Sequence, residues 1–315
     1  MKLLTLKSEG QLHAGVQMGT DALDLVLAAD VIGAAKAVPQ SVRAILESGT
    51  NAFNRIAEVG RLVDANRAGL VANGALRPIA DVTFGPIIPD PAMFLSIGAN
   101  SRAHIAEMND TPPPSPEFFF KVRSAISASG DTIHPPVKYA NMLDWEGELC
   151  AVIGRTCHRV TVEDAENYIA GYTLTNDVSA RDTVRDFITA EGRHAVVTSF
   201  RILTQLKNFP GFCPVGPVLA TRDEFPAAWD YKLETRVNGE VVQSSTKDDL
   251  IFTPAQILSY FSEFYVFQPG DIFSLGSPPG VGMAMKPPRF LKSGDRVDVS
   301  LAEIGVLTNM IGVAL

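Results

Sequence analysis

The amino-acid sequence predicts an α+β fold, rich in β-structure, with a small N-terminal α/β domain over residues 1–85 and a larger β domain over residues 86–315. Three observations carry that expectation. Helical periodicity is concentrated before residue 78, where it follows two short strand-like runs. From Pro78 onwards the texture changes to short apolar runs broken by glycine and proline, as in strands joined by turns. With 46% hydrophobic and 20% charged residues over 315 positions, the chain has apolar material for one large core or two of unequal size.

The elements follow in order. Lys2 to Leu6 and His13 to Gln17 read as strands. Val31-Ile-Gly-Ala-Ala-Lys-Ala37 reads as a first helix. Pro39 to Leu46 reads as a second, with the proline in the first turn, where a missing N–H costs nothing. A third runs from Asn51 to Ala65, with Phe53, Ile56, Val59 and Leu62 on one face. Phe84-Gly-Pro-Ile-Ile-Pro-Asp-Pro91 reads as an extended linker. Beyond it, Leu149 to Gly154 and Ala170 to Leu174 are apolar enough for buried strands. Tyr231 to Gln243 forms a hairpin turning at Asn238-Gly239, residues that tolerate the positive φ of a tight turn. Pro254 to Ser262 reads as a helix opened by its proline. Asn109 to Pro116 holds too many prolines for regular structure and follows a short helical stretch.

Bulk properties exclude several classes. A net charge of −8 argues against general affinity for nucleic acid or an anionic membrane. No apolar run approaches the roughly 18 residues a membrane span needs, and the first residues lack the apolar core and small-residue cleavage site of a signal peptide. Cys150, Cys157 and Cys213 make neither a disulfide framework nor a Cys-x-x-Cys motif. A cytoplasmic protein is the expectation.

The chemistry-bearing residues are acidic. Glu146 and Glu148, in Asp144-Trp-Glu-Gly-Glu-Leu149, stand two apart at a strand and so share a face. Asp177 ends the second strand, in Thr175-Asn-Asp-Val-Ser-Ala-Arg-Asp182. Carboxylates forced together repel, and burying them is costly unless positive charge lies between them. A hard divalent cation with Glu146, Glu148 and Asp177 as oxygen ligands is the simplest compensation.

The wider pattern resembles the fumarylacetoacetate hydrolase family, in its smaller microbial form with an N-terminal domain. The resemblance runs from about Phe94 to the end. It rests on Gly98-Ala-Asn-Ser-Arg-Ala-His104-Ile-Ala-Glu107, Phe118-Phe-Phe-Lys121, Glu146-Gly-Glu148-Leu and Asn176-Asp177-Val-Ser-Ala-Arg181-Asp182. Further on come Lys207 before Gly211-Phe-Cys-Pro-Val-Gly-Pro217, then Val237 to Gln243, Pro269-Gly-Asp271, Gly276-Ser-Pro-Pro-Gly280, Gly294-Asp295 and Glu303 to Asn309. It implies a β-roll catalytic domain, a homodimer, and Mg²⁺, Mn²⁺ or Ca²⁺ held by Glu146, Glu148 and Asp177. Positions left open on the ion would suit a chelating 2-oxo acid or 1,3-diketone.

The same resemblance supplies roles for other residues. Lys207 and Arg181 are the cations expected near an anionic substrate, with Arg181 placed to clamp its carboxylate. His104 and Glu107, at i and i+3 of a short helix, form the expected acid–base pair on a lid, with Glu107 fixing the tautomer of His104. Ser277 keeps the hydroxyl of the family's usual Gly-Thr-Pro and would line the substrate pocket. The implied activity is metal-dependent hydrolysis of a C–C bond in an acylpyruvate or other 2,4-diketo acid, in aromatic or sugar-acid catabolism. The alternatives on the same metal-enolate site are decarboxylation or isomerisation of a 2-oxo acid, or a non-catalytic protein that binds an oxo acid.

The sequence departs from the family in three places. Thr183-Val-Arg-Asp-Phe replaces a common glutamine context, Pro210-Gly-Phe replaces Asp-Thr-Phe, and the stretch from Arg181 to Lys207 is longer and contains His194. These places bear on which substrate is taken, and His194 receives no role. His13, His134 and His158 read as structural or solvated, and Cys150 as a small buried hydrophobe.

Overall fold

The computed structural model describes residues 1–8, 10–33, 39–225 and 231–315. Strands β1 (Lys2–Ser8), β2 (Gln11–Met18) and β3 (Asp21–Asp24) form an antiparallel meander. Helices α1 (Leu25–Ile32), α2 (Val42–Ser48) and α3 (Thr50–Ala72) follow, then the short β4 (Leu76–Pro78). The expected first helix is shifted. Asp24 caps α1 by accepting from the N–H groups of Val26 and Leu27, and Gly33 ends it at φ +76°. Val31 and Ile32 are thus its last two residues, and residues 34–37 of the expected helix lie outside the described residues.

The second helix begins later than expected. Ser41 takes the cap position and accepts from the Ala44 N–H, which leaves Pro39 outside the helix rather than in its first turn. In α3 the buried face is Ala52, Ile56, Val59, Val63 and Leu70, whereas Leu62 is exposed. A stripe of i, i+3, i+4 steps from Ile56 and Val59 continues at Val63, so the expected face drifted by one residue at its end. Each of these aliphatic side chains stabilises the fold by roughly 1.5–3 kcal/mol through burial.

The longer second part contains β5 (Phe94–Gly98), α4 (Arg102–Glu107), β6 (Glu117–Phe120), β7 (Gly147–Ile153) and β8 (Ile169–Asn176). Then come α5 (Val184–Ile188), α6 (Arg193–Gln205), β9 (Cys213–Thr221), β10 (Lys232–Val237) and β11 (Glu240–Thr246). The chain closes with α7 (Pro254–Ser262), β12 (Ile272–Ser274), β13 (Arg296–Leu301) and β14 (Gly305–Ile311). The hairpin turns as expected, with Asn238 at φ +53° and Gly239 at +86°. Helix α7 has a full capping box, Thr253 with Gln256, and Pro254 in its first turn.

An 11-stranded sheet runs β4-β3-β2-β1-β9-β8-β7-β12-β5-β6, with Ile126–Ser127 beside β9 off this path. A 5-stranded sheet runs β11-β10-β13-β14 and ends on Thr132–Ile133. The fold is therefore α+β and sheet-rich. The N-terminal strands are part of the large sheet, because β1 pairs with β9 from Lys2 opposite Ala220 to Leu4 opposite Val218. Leu3, Ile45 and Ile56 share one apolar core with Cys150, Val215 and Ile272. The expected linker is packed into this joint. Ile87 and Ile88 are fully buried, Thr5 Oγ1 donates to the Ile87 carbonyl at 2.9 Å, and the Ile87 N–H donates to Val215 O at 3.3 Å. Among the described residues no helix is long and apolar enough to cross a membrane.

Candidate active site

The Glu-Gly-Glu segment is explained by the two sheets meeting at its glycine. A Cβ on Gly147 would lie 2.0 Å from Thr235 Oγ1 and about 3 Å from the Val299 methyls, so any side chain there would push β10 and β13 away. The residues on either side therefore face the opposite way, into the large sheet's other surface. Glu146, Glu148 and Asp177 come together there, each buried, with ligand oxygens within 4.8 Å of one another. The backbone fixes their spacing. Gly147 pairs with Asn176 in the β7–β8 ladder, the Glu146 N–H donates to Asn176 Oδ1 at 2.9 Å, and the Asp177 N–H donates to Glu146 O at 2.8 Å.

Three buried cations surround the carboxylates. Lys207 Nζ donates to Glu146 Oε2 and, at 2.8 Å, to Asp177 Oδ2. Lys121 Nζ donates to Asp177 Oδ1 at 2.7 Å and to the Lys207 carbonyl. Arg181 donates from Nη2 to Glu146 Oε1 and from Nε to Asp144 Oδ2 at 3.2 Å. The two-residue pairing of Ser179 with Asp144 and Ala180 with Leu143 brings Arg181 to this position. The ring of Phe119 lies under both lysines, 5.2 Å from Lys207 Nζ and 6.0 Å from Lys121 Nζ, a cation–π contact.

The electrostatics divide the carboxylates. Burial would raise Asp177, but Lys121 and Lys207 hold it down to about 2. Burial is likewise overcome at Glu146 by Arg181 and Lys207, which lower it. At Glu148 burial is opposed only in part, by the nearby Lys207 and a hydrogen bond with Ser274. Burial, Asp177 and Glu146 push its carboxyl well above the ordinary range, and its Oε2 has no hydrogen-bond partner. Among the described residues Lys121, Lys207 and Arg181 pair with Asp144, Glu146 and Asp177, and Glu148 is the one carboxyl of the four without an ion pair. An orphaned carboxylate oxygen beside two further carboxylate oxygens fits a hard divalent cation, which Glu146, Glu148 and Asp177 would hold.

A cavity of about 170 Å³ opens onto this cluster, lined by His104, Glu146, Glu148, Lys207 and Ser277 on its polar side. It is below the about 300–1,000 Å³ of sites for drug-sized ligands and suits a small metabolite. The short helix α4 carries His104 to the rim. Ser101 caps it by accepting from the His104 N–H at 3.0 Å, and Arg102 ties it to the carbonyls of Asp248 and Leu250. His104 Nδ1 meets Glu107 Oε1 at 2.6 Å, and Glu107 accepts from the Gly280 N–H at 3.0 and 3.1 Å. Glu107 therefore fixes the imidazole through Nδ1 and leaves Nε2 as the working nitrogen. Ser277 Oγ accepts from Gln243 Nε2 of β11 at 3.2 Å.

The sequence reading and the structure differ at several side chains. Arg181 does not line the cavity; it lies behind Glu146, ion-paired with Asp144 and Glu146 rather than exposed as a carboxylate clamp. Lys121 was quoted in a motif without a role, yet it is a partner of Asp177; a lysine closing the apolar run Phe118-Phe-Phe was the available signal. Asp144 and Phe119 were also missed. His194 is exposed on α6, outside the cavity, and His13 pairs with Asp24 at 2.9 Å.

Known proteins agree with this architecture. The family model described as fumarylacetoacetate (FAA) hydrolase C-terminal matches residues 94–312. The chain belongs to the fumarylacetoacetate hydrolase family, and it is an enzyme of that group. Over 275 residues it is 34% identical to the mitochondrial oxaloacetate tautomerase Fahd2a of Rattus norvegicus, covering 87% of this chain and 80% of that one. It is 36% identical over 237 residues to the oxaloacetate tautomerase YisK of Bacillus subtilis, covering 74% of each chain. Among solved structures, the fumarylacetoacetate hydrolase of Exiguobacterium antarcticum superposes with a TM-score of 0.72 at 28% identity, over 99% of both chains.

Proposed function

We propose that this enzyme catalyses keto–enol isomerisation of a small 2-oxo acid, with oxaloacetate, the compound in its relatives' names, as the first test compound. This is the isomerase alternative of the sequence reading. The two curated relatives above, at 34% and 36% identity, are named for that reaction, whereas the hydrolase among its solved neighbours is more distant, at 28% identity. The observation that carries the proposal is the His104–Glu107 pair, pinned by Gly280 and facing Glu146 and Glu148 across one small cavity. Hydrolysis asks for water activation and then protonation of a carbon leaving group. Isomerisation asks for one proton at one carbon, which a single oriented histidine supplies.

Bound by Glu146, Glu148 and Asp177, Mg²⁺ or Mn²⁺ would supply a Lewis acid that polarises the oxygen on C2. The remaining work falls to the protein. In ketonisation the proton on the C2 oxygen leaves to water, and His104, protonated at Nε2, delivers a proton to C3; solvent then reprotonates the imidazole. Lys207 uses two of its three N–H bonds on Glu146 and Asp177, leaving one for a substrate oxygen. A homodimer in the cytoplasm is part of the same proposal, with sedimentation equilibrium as the test of its assembly.

The decisive experiment follows the ultraviolet absorbance of enol-oxaloacetate with Mg²⁺, with and without the enzyme, alongside proton NMR of an acylpyruvate. Faster enol decay that is lost in His104→Ala supports isomerisation. Unchanged decay, together with release of pyruvate and a carboxylic acid from the acylpyruvate, overturns it in favour of hydrolysis.

A further inference from the structure

Helix α6 is the part of the molecule that the chemistry above leaves unexplained. It belongs to the longer stretch between Arg181 and Lys207, and none of its residues is buried. Yet it is amphipathic. Val196, Phe200 and Leu203 stand at i, i+4 and i+7, one face of a helix. Phe200 and Leu203 form a wall of the cavity, and Val196, 42% exposed, continues the stripe outwards. Phe187 of α5 packs on Phe200 with ring centroids 6.0 Å apart, so the wall is braced from behind.

Other apolar side chains share the cavity lining. Ile97, Ala99, Phe118 and Phe119 line it with Phe200 and Leu203, and Thr204 is the one hydroxyl that α6 adds. Apart from His104 at the reacting carbon, Lys207 is the one cationic side chain among the described residues lining the cavity, and Glu146 and Asp177 engage two of its N–H bonds. The remaining charged group there, away from the metal-type cluster and the acid–base histidine, is Glu117. A dicarboxylate entering head-first would carry its far carboxylate into aromatic and aliphatic side chains and towards an anion. Burying an unpaired carboxylate in such surroundings is strongly disfavoured.

We propose that Phe200 and Leu203 of α6 are specificity-determining residues that select 2-oxo acids with an apolar, uncharged tail beyond C3 over those ending in a second carboxylate. The inference rests on the isomerase reading for its reaction and on the cavity wall for its selectivity. The tail would pack on Phe200 and Leu203 and extend along α6 past Val196.

The test compares decay of enol-phenylpyruvate with that of enol-oxaloacetate, with Mg²⁺ present, for the parent and for Leu203→Arg and Phe200→Ala. The exposure of α6 makes both variants compatible with folding. The expected result is a higher kcat/KM for phenylpyruvate in the parent. Either variant should then lower it by about tenfold to a hundredfold, and Leu203→Arg should raise that for oxaloacetate. A parent that prefers oxaloacetate, with Leu203→Arg leaving the ratio unchanged, overturns the proposal. Calorimetric binding of oxalate and of N-benzyloxamate separates this from failure of the isomerase reading. If neither enol is turned over, but Leu203→Arg weakens N-benzyloxamate at least tenfold and not oxalate, the selectivity stands and the reaction falls. Equal affinities of parent and variant for N-benzyloxamate sink the selectivity whatever the reaction.

Discussion

Glu148 is the side chain whose replacement separates stability from metal affinity. In the chelated protein its carboxyl is buried, crowded by Asp177 and Glu146, and its Oε2 has no partner. Glu148→Gln keeps the shape, removes the like-charge repulsion, and adds an amide that can donate to the neighbouring carboxylates. Relief of one unsatisfied buried group is worth about 1–3 kcal/mol. With an unfolding entropy of about 2.1 cal/mol/K per residue, a chain of 315 residues gains roughly 1.5 °C in Tm per kcal/mol. The chelated variant should thus melt about 2–4 °C above the parent. Mn²⁺ at about a hundred times its Kd should add about 2.7 kcal/mol to the parent, or roughly 4 °C, and far less to the variant, which has lost a charged ligand. Calorimetric melts should therefore show the variant's lead in EDTA shrinking to about zero or less in Mn²⁺. A variant that is less stable in EDTA, or that responds to Mn²⁺ as the parent does, would refute the assignment of Glu148 as the uncompensated ligand.

Further outcomes follow from the same structure. Glu107→Gln should slow enol decay, with the loss of His104 orientation removing much of an acid–base contribution of about 10²–10⁴-fold; an unchanged pH–rate profile would contradict the role given to the pair. Arg181→Met should leave Asp144 buried without its cation and Glu146 with Lys207 alone and cost about 3–5 kcal/mol in urea unfolding. Arg55→Ala, which breaks the exposed pair with Glu58, should cost no more than about 1 kcal/mol. The thiols of Cys157 and Cys213 are pushed up to about 11 by burial, so Ellman's reagent at pH 8 should label neither until the chain unfolds. Because the unfolded thiols release protons near about 8.5 and the folded ones hold them to about 11, the unfolded state binds fewer protons in that window. Stability should fall there by up to about 1.4 kcal/mol per pH unit per thiol, and Cys157→Ala with Cys213→Ala should flatten the decline.

What the sequence made legible was whatever depends on near neighbours. The hairpin at Asn238-Gly239, the capped start of α7 and the shared face of Glu146 and Glu148 are all set by spacings of one to four residues. Where the near-neighbour reasoning slipped, a neighbouring side chain had the stronger claim: Ser41 captured the start of α2 from Pro39, and Asp24 started α1 seven residues before Val31. Partner choice across long separations was not legible. The apolar run in Lys2 to Leu6 says that the strand is buried, but nothing in it says that it pairs with one more than two hundred residues away, which places the N-terminal strands in the large sheet. The same limit governs the site. The three carboxylates could be assembled because adjacent strands carry them, whereas their cations arrive from elsewhere: Lys121 is 56 residues from Asp177, and Arg181 is 35 from Glu146. A buried carboxylate does announce that it needs a cation, and it does not announce which. Each such pair was therefore open in the sequence to an external role, as Arg181 was to a substrate carboxylate. The assembled cluster narrows that opening, because Arg181 is already ion-paired with Asp144 and Glu146, while among the described residues Glu148 alone of the four carboxylates has no ion pair.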